Sequence, residues 1–137
     1  MDKTLPQPSI LNTLRTNDEI GVNLMRQLTI RQAQEDVERL LEEWSKKWTR
    51  ISDHYYLFTH LSEETGELAR DIINAELNLS NRRTGEPIPR KEAIARIEDD
   101  LGDVLYHLIQ LANAYDIDLA EAFEKAMISI KKRYGIR

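Results

Sequence analysis

Two short acidic stretches, each set inside a strongly apolar helical pattern, constrain this chain more than any other feature. The first is Glu63-Glu64-Thr65-Gly66-Glu67 and the second is Asp99-Asp100-Leu101-Gly102-Asp103. A helix turns by about 100° per residue, so side chains three and four apart share a face. On that wheel Glu64, Glu67 and Asp71 fall within about 60° of one another, with His60 and Asn74 in the same arc. Asp100, Asp103 and His107 fall within a similar arc, with Arg96 among them and Gln110 at its edge. Each acid stripe borders an apolar arc: Leu61, Leu68, Ile72 and Ala75 in one, Ile97, Val104, Leu108 and Leu111 in the other. Those arcs need a partner surface, and burying them draws the acids inward too. Carboxylates gathered there repel one another and are costly to ionise. A positive group has to join them, and a divalent metal is the economical candidate.

The bulk properties narrow the classes. At 137 residues and 41% apolar content the chain is one domain with enough material for a core. A formal charge of −5 argues against a nucleic-acid polymer as partner, which usually meets a basic face. It leaves room for a small anionic substrate, because a metal reverses the local sign. With no cysteine, disulfides, zinc–thiolate sites and thiol chemistry are excluded. No apolar run approaches membrane-spanning length, and Met1-Asp2-Lys3-Thr4-Leu5-Pro6 has no signal-peptide core. The expectation is a cytoplasmic protein with no membrane partner.

Along the chain, residues 1–28 read as an N-terminal arm. Pro6, Pro8, Asn12 and Asn17 break its periodicity, and a short helix is expected from Asn17 or Asp18 to Gln27. Residues 29–137 read as an all-α, four-helix-bundle-like domain. The first helix is expected from about Thr29, its N-cap, to Thr49, with Val37, Leu40, Leu41, Trp44 and Trp48 at helical spacing. The second runs from Ser52 or Asp53 to about Leu79 and carries the first acidic stretch. A loop with Arg82 and Arg83 precedes the third, from about Arg90 to Tyr115, which carries the second. Asp118 caps a fourth to about Tyr134, with Ala122, Phe123, Ala126, Met127 and Ile130 as its buried side. Apolar arcs on all four helices predict a homo-oligomer.

Three readings of the stripes compete. Solvated acidic faces are the commonest source of charge on helices, but these stripes border apolar arcs in mid-helix. Gly66 and Gly102 sit inside helices at about 1 kcal/mol apiece against alanine, which points to close helix approach beside the acids. A di-iron carboxylate site wants Glu-x-x-His pairs, and none of His54, His60 or His107 completes one. An oxygen-only site for magnesium or manganese, completed by the phosphates of a nucleotide, fits the composition best.

Glu63-Glu64-Thr65-Gly66-Glu67-Leu68 and Asp100-Leu101-Gly102-Asp103-Val104-Leu105-Tyr106 resemble the Glu-Glu-x-x-Glu and Glu-x-x-Asp signature of the MazG-type nucleotide pyrophosphohydrolases, in the all-α NTP pyrophosphatase group. The resemblance extends through Asp116-Ile117-Asp118-Leu119-Ala120-Glu121-Ala122 to Lys132-Arg133-Tyr134. It implies hydrolysis of an NTP or dNTP between the α and β phosphates, with Mg2+ or Mn2+, in a homodimer or homotetramer. Carried over by position, Glu64, Glu67, Asp100 and Asp103 would be metal ligands. Glu63 would be a further ligand or the group that orients or deprotonates water, with Glu64 beside it in the catalytic set. Two departures matter. Asp100 stands where the family usually has glutamate, and Ser129 and Ile130 stand where many relatives carry Lys and Asn before the closing Arg-Tyr. Phosphate contacts then pass to Lys125, Lys131, Arg133, a loop arginine such as Arg83 or a second subunit, with Trp48 as a ring for the base. His107 reads as a packing residue whose place in the acid arc also offers a substrate contact. Alternatives are a relative acting on phosphoribosyl-nucleotides, and a non-catalytic helical interaction protein with a structural cation.

Overall fold

The computed structural model describes residues 27–47, 53–77 and 85–137. Four helices and no strand occur among the described residues: α1 (Ile30–Ser45), α2 (His54–Glu76), α3 (Arg90–Ala114) and α4 (Leu119–Tyr134). The arm up to Arg26, with most of its expected short helix, lies outside the described residues, as do Trp48, Thr49, Arg82 and Arg83.

Local chemistry sets the helix starts. Thr29 closes a capping box on α1: its Oγ1 accepts from the Gln32 N–H at 3.2 Å, while its own N–H donates to Gln32 Oε1 at 2.9 Å. Such a cap stabilises a helix by about 1 kcal/mol. Asp53 caps α2 by accepting from the Tyr55 N–H at 2.9 Å and the Tyr56 N–H at 3.4 Å. Asp118 caps α4 through the Glu121 N–H at 3.0 Å. At the far end of α4, Gly135 takes a left-handed φ of 65°, and the Ile136 N–H returns to the Lys131 carbonyl at 2.9 Å. That conformation suits glycine, which has no Cβ to clash.

The most extensive packing is between α2 and α3, which run antiparallel. At one end the His54 and Tyr115 rings lie 4.3 Å apart, and at the other Arg90 Nη1 meets Glu76 Oε1 at 3.1 Å. Leu57, only 2% exposed, is the most buried large side chain between them, with Ala75, Ala93, Ile109 and Ala112. Burying one such leucine stabilises by roughly 1.5–3 kcal/mol. From α1, Val37 joins this core.

α1 is held across α3 and α4 by a polar corner. Gln34 Nε2 donates to Asn113 Oδ1 at 2.9 Å and to the Ile117 carbonyl at 2.8 Å, while its Oε1 accepts from the Leu119 N–H at 2.9 Å. Asn113 Nδ2 donates back to the Gln34 carbonyl at 2.9 Å. Beside them Arg31 Nε meets Asp118 Oδ2 at 2.8 Å. The α3–α4 turn is compact enough to need a left-handed residue, Asp116, at φ 56°.

Two expectations fail here. The side of α4 expected to be buried is not: Phe123, Ala126 and Ile130 are exposed, and Ala122 and Met127 are half-buried. The reason is that, among the described residues, α4 finds its main packing surface on α1, so one helix covers only part of its apolar arc. Nor do the two helical glycines mark close helix approach. A Cβ at Gly66 or Gly102 would meet no atom within 4 Å, because both point away from the α2–α3 interface.

Candidate active site

The antiparallel register of α2 and α3 lays the two acid stripes against each other along one seam. α2 contributes Glu63, Glu64, Glu67 and Asp71, and α3 contributes Asp100, Asp103 and His107. Their depths differ. Asp71 is buried, Glu64, Glu67 and Asp100 are half-buried, and Glu63 and Asp103 are exposed.

Most of these carboxylates are engaged by a neighbour. Glu63 Oε2 lies 3.3 Å from His60 Nδ1, and Glu64 Oε1 stands 3.7 Å from His107 Nε2. The two imidazoles stack across the helix interface, with centroids 5.5 Å apart and planes inclined by 13°. Tyr56 meets the His60 ring edge-on and Tyr106 meets His107 likewise, so an aromatic row flanks the upper part of the seam. Farther along α2, Arg70 Nε lies 3.1 Å from Asp71 Oδ1, and its Nη2 lies 3.6 Å from Glu67 Oε2.

Among the described residues Asp103 has no such neighbour, and neither has the deeper Asp100. Its Oδ2 is fully buried with no hydrogen-bond partner. Burial pushes its carboxyl above the ordinary value, and the charges of Asp71, Glu67 and Asp103 push the same way, against Arg70. His107 Nδ1 and Gln110 Oε1 are also buried without partners, although Gln110 Nε2 donates to the Tyr106 hydroxyl at 2.8 Å. Burial raises the Tyr106 phenol as well, and the Gln110 bond opposes it.

An orphaned carboxylate oxygen facing further carboxylates suits a cation. The donors are hard oxygens, the kind that magnesium and manganese prefer. Among the described residues no three of these side chains already converge as a metal cage would require. Glu63 and Glu64 are turned towards imidazoles and Glu67 and Asp71 towards Arg70, so rotamer changes would have to bring them together.

Of the basic residues expected at the site, Arg83 lies outside the described residues and the others lie on α4. Lys131 and Arg133 are exposed in the last turn of α4. Lys125 is engaged by Glu121 at 2.5 Å. Neither Lys131 nor Arg133 pairs with a seam acid among the described residues. Asp71 and Arg70 are the neighbours that motif matching passed over. Asp71 lies four residues beyond Glu67 on the same arc, and its i+4 spacing beside Ala75 was the available signal.

Residues 52–135 match the profile of the MazG nucleotide pyrophosphohydrolase domain. The chain is also 32% identical over 110 residues to "Uncharacterized protein YpjD" of Bacillus subtilis (strain 168), covering 80% of this chain and 89% of that protein. The match spans both acid stripes, the turn between α3 and α4 and all of α4, so this chain belongs to the MazG nucleotide pyrophosphohydrolase domain family.

Proposed function

We propose that this protein is a magnesium-dependent nucleotide pyrophosphohydrolase that cleaves an NTP or dNTP between the α and β phosphates. The products are a nucleoside monophosphate and pyrophosphate. The observation that carries the reading is the buried, unpartnered Asp100 Oδ2 facing the acids of the other helix inside a MazG domain.

Glu64, Glu67, Asp100 and Asp103 are the residues that would hold the divalent ion, with manganese as a substitute. The bound ion supplies charge neutralisation for the phosphate oxygens and lowers the pKa of coordinated water. The chain's own groups do the rest. Glu63 is the general base: its Oε2 is steadied by His60 Nδ1 at 3.3 Å, and it faces solvent, where a water can approach. The water proton passes to Glu63, the water oxygen bonds to phosphorus, and the bridging P–O bond breaks to release pyrophosphate. Glu64, with His107 at 3.7 Å, belongs to both the catalytic and the metal set. His107 contacts the substrate from the floor of the seam.

Lys131 and Arg133, with Arg83 and Trp48, complete the substrate site in this reading. The exposed Phe123, Ile128 and Ile130 of α4 favour a homodimer or homotetramer, in which a second copy covers that face. Light scattering that finds a monomer would count against this assembly.

The test is turnover of an NTP and dNTP panel with magnesium, with manganese and with chelator. Metal-dependent monophosphate plus pyrophosphate supports the reading and ranks the bases. Diphosphate plus orthophosphate would mean that the wrong bond is cut. No turnover across the panel would move the reading to another nucleotide substrate, such as a phosphoribosyl-nucleotide, or to a non-catalytic role.

A further inference from the structure

Asp71 is the one carboxylate among the described residues that is buried at residue level, at 8% exposure. It sits one turn beyond Glu67 and faces Asp100 across the α2–α3 interface. Its only ion-pair partner among the described residues is Arg70, whose side chain is 57% exposed and reaches in from solvent to touch Asp71 Oδ1 through Nε. The same guanidinium stretches to Glu67 at 3.6 Å. Two carboxylates, Glu67 and Asp71, thus share one guanidinium, and Asp100, whose Oδ2 is buried without a partner, makes no ion pair with it.

A purely structural buried acid is normally matched by enough donors to repay its desolvation. This group is short of positive charge at its deepest point. A compact dication fits that deficit where a planar guanidinium on the same helix as two of the acids does not, because Arg70 approaches from the solvent side.

We infer that Asp71 is a fifth carboxylate of the set that takes the divalent ion, and that Arg70 is a built-in cation with which the ion competes for Glu67 and Asp71. The inference rests on the metal-dependent reading above. It adds a ligand four residues past the Glu-Glu-x-x-Glu stretch, and it assigns Arg70 a tuning role: its charge weakens ion uptake and, once displaced, the side chain is free at the mouth of the seam. Arg70 is a positioning residue in this scheme, and Asp71 a binding one.

The experiment is calorimetric titration of manganese into the full-length chain, comparing wild type with Asp71→Asn, Asp71→Glu and Arg70→Gln. Circular dichroism checks that each variant is folded. Asp71→Asn keeps the shape and loses the charge, and it is expected to weaken manganese binding about ten-fold or more. Asp71→Glu is expected to recover part of that loss. Arg70→Gln, on a side chain 57% exposed, is expected to tighten binding several-fold. Manganese uptake by wild type that is unchanged in folded Asp71→Asn overturns the inference and leaves the proposed function standing. If Asp71→Asn does not fold, unchanged or weaker binding by Arg70→Gln overturns it instead. A wild-type chain that takes up no manganese overturns both.

Discussion

Two polar junctions tie the helices of this domain together, and they are built in opposite ways. At the corner where α1 meets the α3–α4 turn, Gln34 uses both ends of its amide, Asn113 answers it twice, and Arg31 is matched by Asp118. Along the α2–α3 seam, carboxylates face carboxylates, and Asp100 Oδ2, His107 Nδ1 and Gln110 Oε1 are buried without partners. Completed polar contacts fasten elements in one geometry, whereas an uncompleted set stores unfavourable energy that a ligand can relieve. The corner is therefore built as a joint, and the unmatched seam is where the proposed site lies. The electrostatics agree: the Glu121 backbone N–H and Arg31 hold the Asp118 carboxyl below the usual range, while burial and like charges hold Asp100 above it.

Substitutions should separate the two junctions. The largest effect belongs to the seam's function: Glu67→Ala or Asp103→Ala is expected to reduce nucleotide turnover to background with the helical circular dichroism spectrum intact. Retained turnover would remove the seam from the chemistry. Next, Gln34→Ala at the corner strands Asn113 and the Leu119 N–H, and should cost about 1–3 kcal/mol in denaturant unfolding. A neutral result would mean that the corner does not act as a joint.

The sharpest contrast comes from Asp100→Asn. The folded chain holds the Asp100 proton more tightly than the unfolded chain does, so ionising it opposes folding. The wild type thus loses stability as pH rises from the ordinary value of 3.8 through the raised folded value, and the loss is complete above it. Asparagine carries no such charge. Asp100→Asn should melt higher than wild type at neutral pH without metal, and the gain should vanish below pH 3.8 while turnover is lost. Equal melting temperatures at all pH values would mean that the seam is not strained. The smallest effect is on the outer face: Gly66→Ala or Gly102→Ala should raise stability by up to about 1 kcal/mol, read from unfolding midpoints. A loss instead would mean that a second copy packs against those glycines.

The helices were legible because their signals are local. Thr29 and Asp118 cap where the capping chemistry puts them, and the expected starts fall within a residue or two of the observed ones. α1 and α2 stop at Ser45 and Glu76, a few residues short of the expected Thr49 and Leu79, because sequence signals fix helix ends less sharply than helix starts here. The facing of the two acid stripes was legible too, because helical periodicity places Glu64, Glu67 and Asp71 on one face and Asp100, Asp103 and His107 on another. The role given to the glycines was not. An absent side chain signals close approach only when something approaches, and nothing does at Gly66 or Gly102.

From one-dimensional information alone came the four helices of the described residues, their caps, the absence of thiol chemistry and the membership of the acids in two stripes, since each depends on residue type and spacing within about one turn. Only the tertiary structure decided how deep each acid lies. It buried Asp71, left Asp100 Oδ2 without a partner, brought Arg70 onto two carboxylates and left the apolar face of α4 open. Desolvation and partner geometry depend on what the neighbouring helix places opposite, and the antiparallel pairing of α2 and α3 sets that at every position along the seam.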